Sequence, residues 1–108
     1  MALSRVARKH AAEIANHDWS DAPYRLDRAG HQREDDTNRG EKFLSPEEAQ
    51  RVKVNVAWVV AQVLAEEDPN FNVVEFARLC GIHDLSAGWL ENGLRRDSNG
   101  RYLPAPEV

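Results

Sequence analysis

One start signal constrains this chain more than any other feature. Ser45-Pro46-Glu47-Glu48 places a capping serine before a proline that can occupy the first helical position, with a glutamate three residues beyond the cap. That pattern begins a helix: serine and glutamate satisfy each other's neighbouring N–H groups, and proline there gives up an N–H that would be unpaired anyway. Asp68-Pro69 supplies the matching stop, since the residue before proline avoids the helical region. Between the two signals, Val52 to Ala65 is apolar almost all round, as befits a helix at the centre of a bundle. Val52, Val54, Val56 and Trp58 also alternate with Arg51, Lys53, Asn55 and Ala57, which is a strand's period. The cap and the Ala-Gln-Val-Leu-Ala-Glu-Glu continuation decide for a helix over 45–67.

The rest of the chain is read around that spine. Leu3, Val6, Ala7, Ala11, Ile14 and Ala15 recur at three- and four-residue spacing, a stripe of one N-terminal helix over 1–16. Its alanine content suits a helix laid on a neighbour. Residues 17–44 lose the periodicity. Asp21, Pro23 and Gly30 suggest a short helix around 22–29, with Trp19, Tyr24 and Leu26 pinning the segment to the domain. The acidic loop 31–42 follows, polar almost throughout and expected to be exposed.

Asn72-Val73-Val74-Glu75 is a second capping box, with Phe71 and Phe76 placed as a hydrophobic staple. Gly81 ends this helix in the left-handed conformation, which costs glycine nothing. A last helix opens near Asp84 or Ser86 and ends near Asn92-Gly93. Asn99-Gly100 then marks a tight turn between short strands. The expected architecture is a single all-α domain of about four helices, with a helix-turn-helix and a β-hairpin wing over 71–103.

Several function classes find no footing in the residues. Cys80 is the only cysteine, so no intramolecular disulfide forms. Cys80 and His83 have ligand spacing, but a closed zinc site needs four ligands and no second pair is evident, so no metal is expected. Scattered histidines, including His17 beside Asp18, face no serine or cysteine in a nucleophile motif, and no glycine-rich phosphate loop exists. The expectation is a non-enzyme without cofactor. With no signal-peptide core and no apolar run of about 20 residues, it is read as cytoplasmic.

The functional signal lies in Phe76-Ala77-Arg78-Leu79-Cys80-Gly81-Ile82 followed by Ser86-Ala87-Gly88-Trp89-Leu90. Ala77 allows close helix approach, Gly81 makes the turn, and Phe76, Cys80, Ile82, Ala87 and Leu90 form a shared apolar seam, as in a helix-turn-helix. With Gly93-Leu94 and the Arg95–Tyr102 segment included, residues 71–103 resemble the winged helix-turn-helix of mercury-resistance-type regulators and phage excisionases. In vocabulary the whole chain is similar to small proteins of actinobacteria and their phages. The resemblance implies a small regulatory or recombination-accessory protein that binds double-stranded DNA, and an acidic chain of this size would need two copies for useful affinity, so a homodimer on paired half-sites is expected. Ser86, Gly88, Trp89 and Asn92 would then face a groove, with Arg95, Arg96 and Arg101 on the phosphates.

Charge keeps a rival open. The formal net charge is −4, and Ser86–Asn92 holds Glu91 but no lysine or arginine. General phosphate affinity would need a basic face. The alternative is a protein-binding inhibitor or adaptor using Trp89 and the acidic loop. The orientation of Trp89 separates the two: packed beneath Tyr102 it supports a wing, and free on the surface it serves a protein partner.

Overall fold

A computed structural model describes residues 3–37 and 40–107. Asn38 and Arg39 of the expected acidic loop lie outside the described residues. Four helices follow in order: α1 (Arg5–Asn16), α2 (Pro46–Glu67), α3 (Val73–Leu79) and α4 (Ala87–Asn92), with a single 3-10 turn at Arg33–Asp35. The class is all-α. None of the helices is long and apolar enough to cross a membrane.

The spine forms as the sequence dictates. Ser45 Oγ accepts from Glu48 N–H at 3.2 Å while Glu48 Oε1 accepts from Ser45 N–H at 2.9 Å, completing the capping box. Small residues make α2 approachable. Ala57, Ala61 and Ala65 are buried along one stripe, and Ala7, Ala11 and Ile14 are the buried residues of α1, which packs on α2 and α3. The α2 helix is not buried all round, however. Val59 is 71% and Val63 47% exposed, because no helix covers that side. Similarly, Val6 of the α1 stripe is exposed.

At α3 the second cap is only half of the expected box. Asn72 accepts from Glu75 N–H at 3.1 Å, but the Glu75 carboxylate accepts from Leu3 N–H, tying the start of α1 to α3. The staple is present, with Phe71 and Phe76 ring centroids 5.4 Å apart. Gly81 adopts φ +86° and turns the chain toward α4. Ser86 caps α4 by accepting from Trp89 N–H. Phe76, Cys80, Ile82 and Leu90 are buried as the seam required, whereas Ala87 faces solvent.

Two expectations for 17–44 are corrected. No helix forms over 22–29: Asp21 and its neighbours make turns, with Tyr24 N–H bonded to Asp21 C=O. Their side chains engage partners elsewhere in the segment, which competes with helix formation. Nor is the acidic loop merely exposed. Arg25 donates to Asp27 at 2.8 Å and to Asp36 at 2.9 Å, and Asp18 accepts from Arg33 N–H at 2.8 Å. His31 Nε2 stands 3.0 Å from Asp36. Asp21, only 1% exposed, lies 3.3 Å from Arg25 and 3.6 Å from Arg33. Of the three expected anchors only Trp19 is one: it packs on the core and donates to Ile14 C=O, while Tyr24 and Leu26 are exposed.

Burial would raise the pKa of Asp27 and Asp36, yet the Arg25 hydrogen bonds and charge outweigh it and hold both below the ordinary range. Burial first, and the adjacent Asp27 carboxyl second, push Asp21 up. The signs differ. Asp27 and Asp36 stabilise the fold above the ordinary aspartate value of 3.8, and this is lost as pH falls through their lower folded values. Asp21 acts oppositely, losing stability as pH rises from 3.8 to its raised value.

Two outcomes are expected. On acidification below 3.8, native protein should lose more stability than the Asp36→Asn variant, measured by urea unfolding; parallel curves would remove Asp36 from the network. The second concerns Gly93, where an added Cβ would fall 1.9 Å from the Trp58 ring. The Gly93→Ala variant should lose about 2–4 kcal/mol by overpacking and by breaking the Trp58 hydrogen bond to Leu90. Combined with Trp58→Ala, the losses should be less than additive. A cost below about 0.5 kcal/mol would mean the indole moves aside freely.

Candidate functional site

Gln50 and Lys53 of α2 reach Asp84 and Gly81, and from Leu90 onward the chain is attached to α2 by two side chains one turn apart. Trp58 lies against Gly93, and its indole N–H donates to Leu90 C=O at 3.1 Å, fixing the end of α4. Gln62, a buried polar residue, engages the segment beyond. Its amide N–H donates to Arg95 C=O at 3.1 Å and Leu103 C=O at 2.8 Å, and its carbonyl accepts from Arg95 N–H at 2.7 Å.

The expected β-hairpin wing does not form: there are no strands among the described residues. One antiparallel bridge joins Arg96 and Tyr102, with Leu103 N–H bonded to Arg95 C=O at 3.0 Å. Asp97 accounts for the turn, its carboxylate accepting from the Asn99 and Arg101 N–H groups. Gln62 meets the backbone groups that a longer ladder would have used, so residues 95–103 lie against α2 instead of projecting as a two-stranded ribbon.

The seven sequence-named site residues meet different fates. Ser86 is committed to capping α4. Gly88 and Asn92 are exposed on α4. Trp89 is 65% exposed, and its indole has no hydrogen-bond or ring partner among the described residues. It is not packed beneath Tyr102. Arg96 occupies that place, with its guanidinium 4.3 Å from the Tyr102 ring centroid, 2.7 Å from the phenol oxygen and 2.8 Å from Glu91. Arg95 and Arg101 are exposed, without acid partners among the described residues.

No protein-family model, no curated protein and no solved structure matches the chain. Its functional reading rests on its own geometry. The outer side of α4 presents Ala87, Gly88, Trp89 and Asn92, together with the half-exposed Glu91 carboxylate that is paired with Arg96. Beneath it, Cys80 is fully buried, and burial pushes its thiol up to about 12 against the pull of Lys53. The thiol therefore stays protonated at neutral pH, a small apolar group in the seam. His83, by contrast, is exposed.

Gln62 carries the attachment of this unit, so Gln62→Leu should cost about 2–4 kcal/mol by stranding backbone groups of Arg95 and Leu103. The Arg95 amide should exchange with solvent faster than in the native chain. Unchanged exchange at Arg95 would show that the segment is held by other contacts.

Proposed function

We propose that the chain is a protein-binding module, an inhibitor or adaptor, that docks through the outer side of α4 with Trp89 as its anchor. The exposed indole carries this reading. A tryptophan left 65% exposed, on a helix whose one charged side chain, Glu91, is already paired with Arg96, is the residue type that dominates binding energy at protein interfaces. Ala87 and Gly88 beside it leave the ring free to enter a pocket. From the loop 31–42, Glu34, Asp35 and Glu41 reach the surface, while Asp36 turns inward to Arg25.

The winged helix-turn-helix reading has less support. The α4 helix offers no arginine or lysine to base edges or phosphates, and Arg96 is engaged with Tyr102 and Glu91. Only Arg95 and Arg101 of the expected phosphate contacts are exposed without acid partners among the described residues.

Capture from cells with native chain and the Trp89→Ala variant in parallel separates these readings. At least one protein held by the native chain should be lost by the variant. With that protein purified, its dissociation constant should weaken about 30-fold or more, the effect of removing an interface anchor. If no partner depends on Trp89, and duplex DNA is retarded at low salt unless Arg95 and Arg101 are replaced by alanine, the chain is a DNA-binding protein instead.

A further inference from the structure

Where α2 meets the last residues of the chain lies a hollow of about 280 Å³, walled chiefly by Trp58, Val59, Val63, Arg95, Ala105 and Pro106. Small-molecule sites commonly measure about 300–1,000 Å³, and a cavity of about 150 Å³ already accepts benzene. This one therefore suits a single ring or a short branched chain. Its floor is the side of α2 where Val59 and Val63 stand exposed. The polar groups of the lining decide what else a ligand must carry. The Trp58 N–H is engaged with Leu90 C=O, and the Gln62 amide with Arg95 and Leu103. No acid lines the hollow, and Arg95 is its one charged residue. Gln62 holds both backbone groups of Arg95, while the Arg95 side chain makes no hydrogen bond or ion pair with any described residue. An unpaired guanidinium beside an apolar surface is complementary to a carboxylate carried on an apolar body. A phosphate monoester would bring about 1.5–2 negative charges against this one cation, so a carboxylate is the better match.

We propose that this hollow binds a small aromatic or branched aliphatic carboxylate, its apolar body against Trp58, Val59 and Val63 and its charge on Arg95. Trp89 is not part of the lining, so the site is separate from the protein-binding reading and stands or falls without it. The walls come from α2, from Gly93 at the end of α4 and from residues 105–106. A bound ligand touches all three and holds the tail against α2. Because the floor is exposed, binding is weak. A ligand of about ten non-hydrogen atoms at ordinary efficiency gives a dissociation constant of about 1 mM.

The probe is phenylacetate, titrated at neutral pH and fixed salt into isotope-labelled full-length chain and followed by amide chemical shifts. Shifts should concentrate at Val59, Val63, Gly93 and Ala105 and should saturate. Phenylacetamide has the same ring without the charge, and should bind at least about threefold more weakly. The Arg95→Gln variant keeps the backbone that Gln62 holds, so its spectrum should be native away from the hollow. It should bring phenylacetate down to the affinity of the amide. Val63→Trp, a larger side chain at an exposed position, should occupy the hollow and abolish both. Equal affinity for acid and amide in the native chain would overturn the role of Arg95. Shifts that map elsewhere, that survive Val63→Trp, or that do not saturate by about 20 mM would overturn the site itself. N-acetylphenylalanine imitates the end of a peptide. If it binds more than about tenfold tighter than phenylacetate, the occupant is a chain terminus and the small-molecule assignment fails.

Discussion

From Leu90 onward the chain is tied to one turn of α2, while Arg78 of α3 holds the turn before α4 through Ile82 C=O and Leu85 C=O. Trp58 and Gln62 lie four residues apart on the helix, and between them they engage Leu90, Arg95 and Leu103. The buried amide supplies two donations and one acceptance in a place where unpaired backbone groups would each cost about 1–3 kcal/mol. The indole meets a residue with no side chain, so α4 approaches as closely as the ring allows. Together with the seam that buries Leu90 against Phe76, Cys80 and Ile82, that turn holds α4 so that Trp89 stays on its exposed side. A hairpin free to project would have left that choice open. The same attachment explains why the last residues hold a loop-like path with so little β-pairing of their own.

A second constraint governs residues 17–44, where charge does the work that apolar burial does elsewhere. Arg25 is shared among Asp21, Asp27 and Asp36, and Arg33 adds a contact to Asp21 and stacks 4.5 Å from the Phe43 ring centroid. Several acids counted in the net charge therefore face inward and contribute little to the outer field. Regional charge along the chain is a poor guide to the surface here, because the acids of this segment neutralise its own arginines. Near α4 the surface carries the paired Glu91 and Arg96 and, beyond the helix, the exposed Arg95 and Arg101, with no lysine or arginine on α4 itself.

The parts of the fold that were legible in the sequence are those whose causes are local. Ser45 with Glu48, Asn72 before Glu75, Ser86 before Trp89 and Gly81 after α3 all act within a few residues, and each marks a boundary the structure shares. What escaped depends on distant partners. Gln62 reads as an interruption in an apolar run, since its three bonds lie 33 and 41 residues away. Asp21 reads as a helix start because Arg25 stands four residues on, at helical spacing, whereas the Arg33 contact and the bonds of Arg25 to Asp27 and Asp36 that hold the turns give no such signal. Asn99-Gly100 predicts a hairpin, and the turn is there, but turn chemistry alone does not make strands when a side chain from α2 takes the ladder bonds. Among the site residues, the exposure of Trp89 was legible only as a choice between two packings. The structure decides it by placing the Arg96 guanidinium, rather than Trp89, over the Tyr102 ring.

The exposure of Trp89 follows from what α4 uses for its own packing. Leu90 is the buried residue of the helix, seated in the seam with Phe76, Cys80 and Ile82, while Ser86 is taken up by the cap. Successive helical residues stand about 100° apart, so a short helix anchored through Leu90 turns its neighbours outward. Trp58 closes the end at Gly93, where there is no space even for a Cβ. Covering the Trp89 indole would offer on the order of 25 cal/mol for each Å² of apolar surface removed from water, and its 65% exposure leaves most of that unrealised within the chain. The packing that stabilises the C-terminal unit is therefore also what keeps Trp89 accessible.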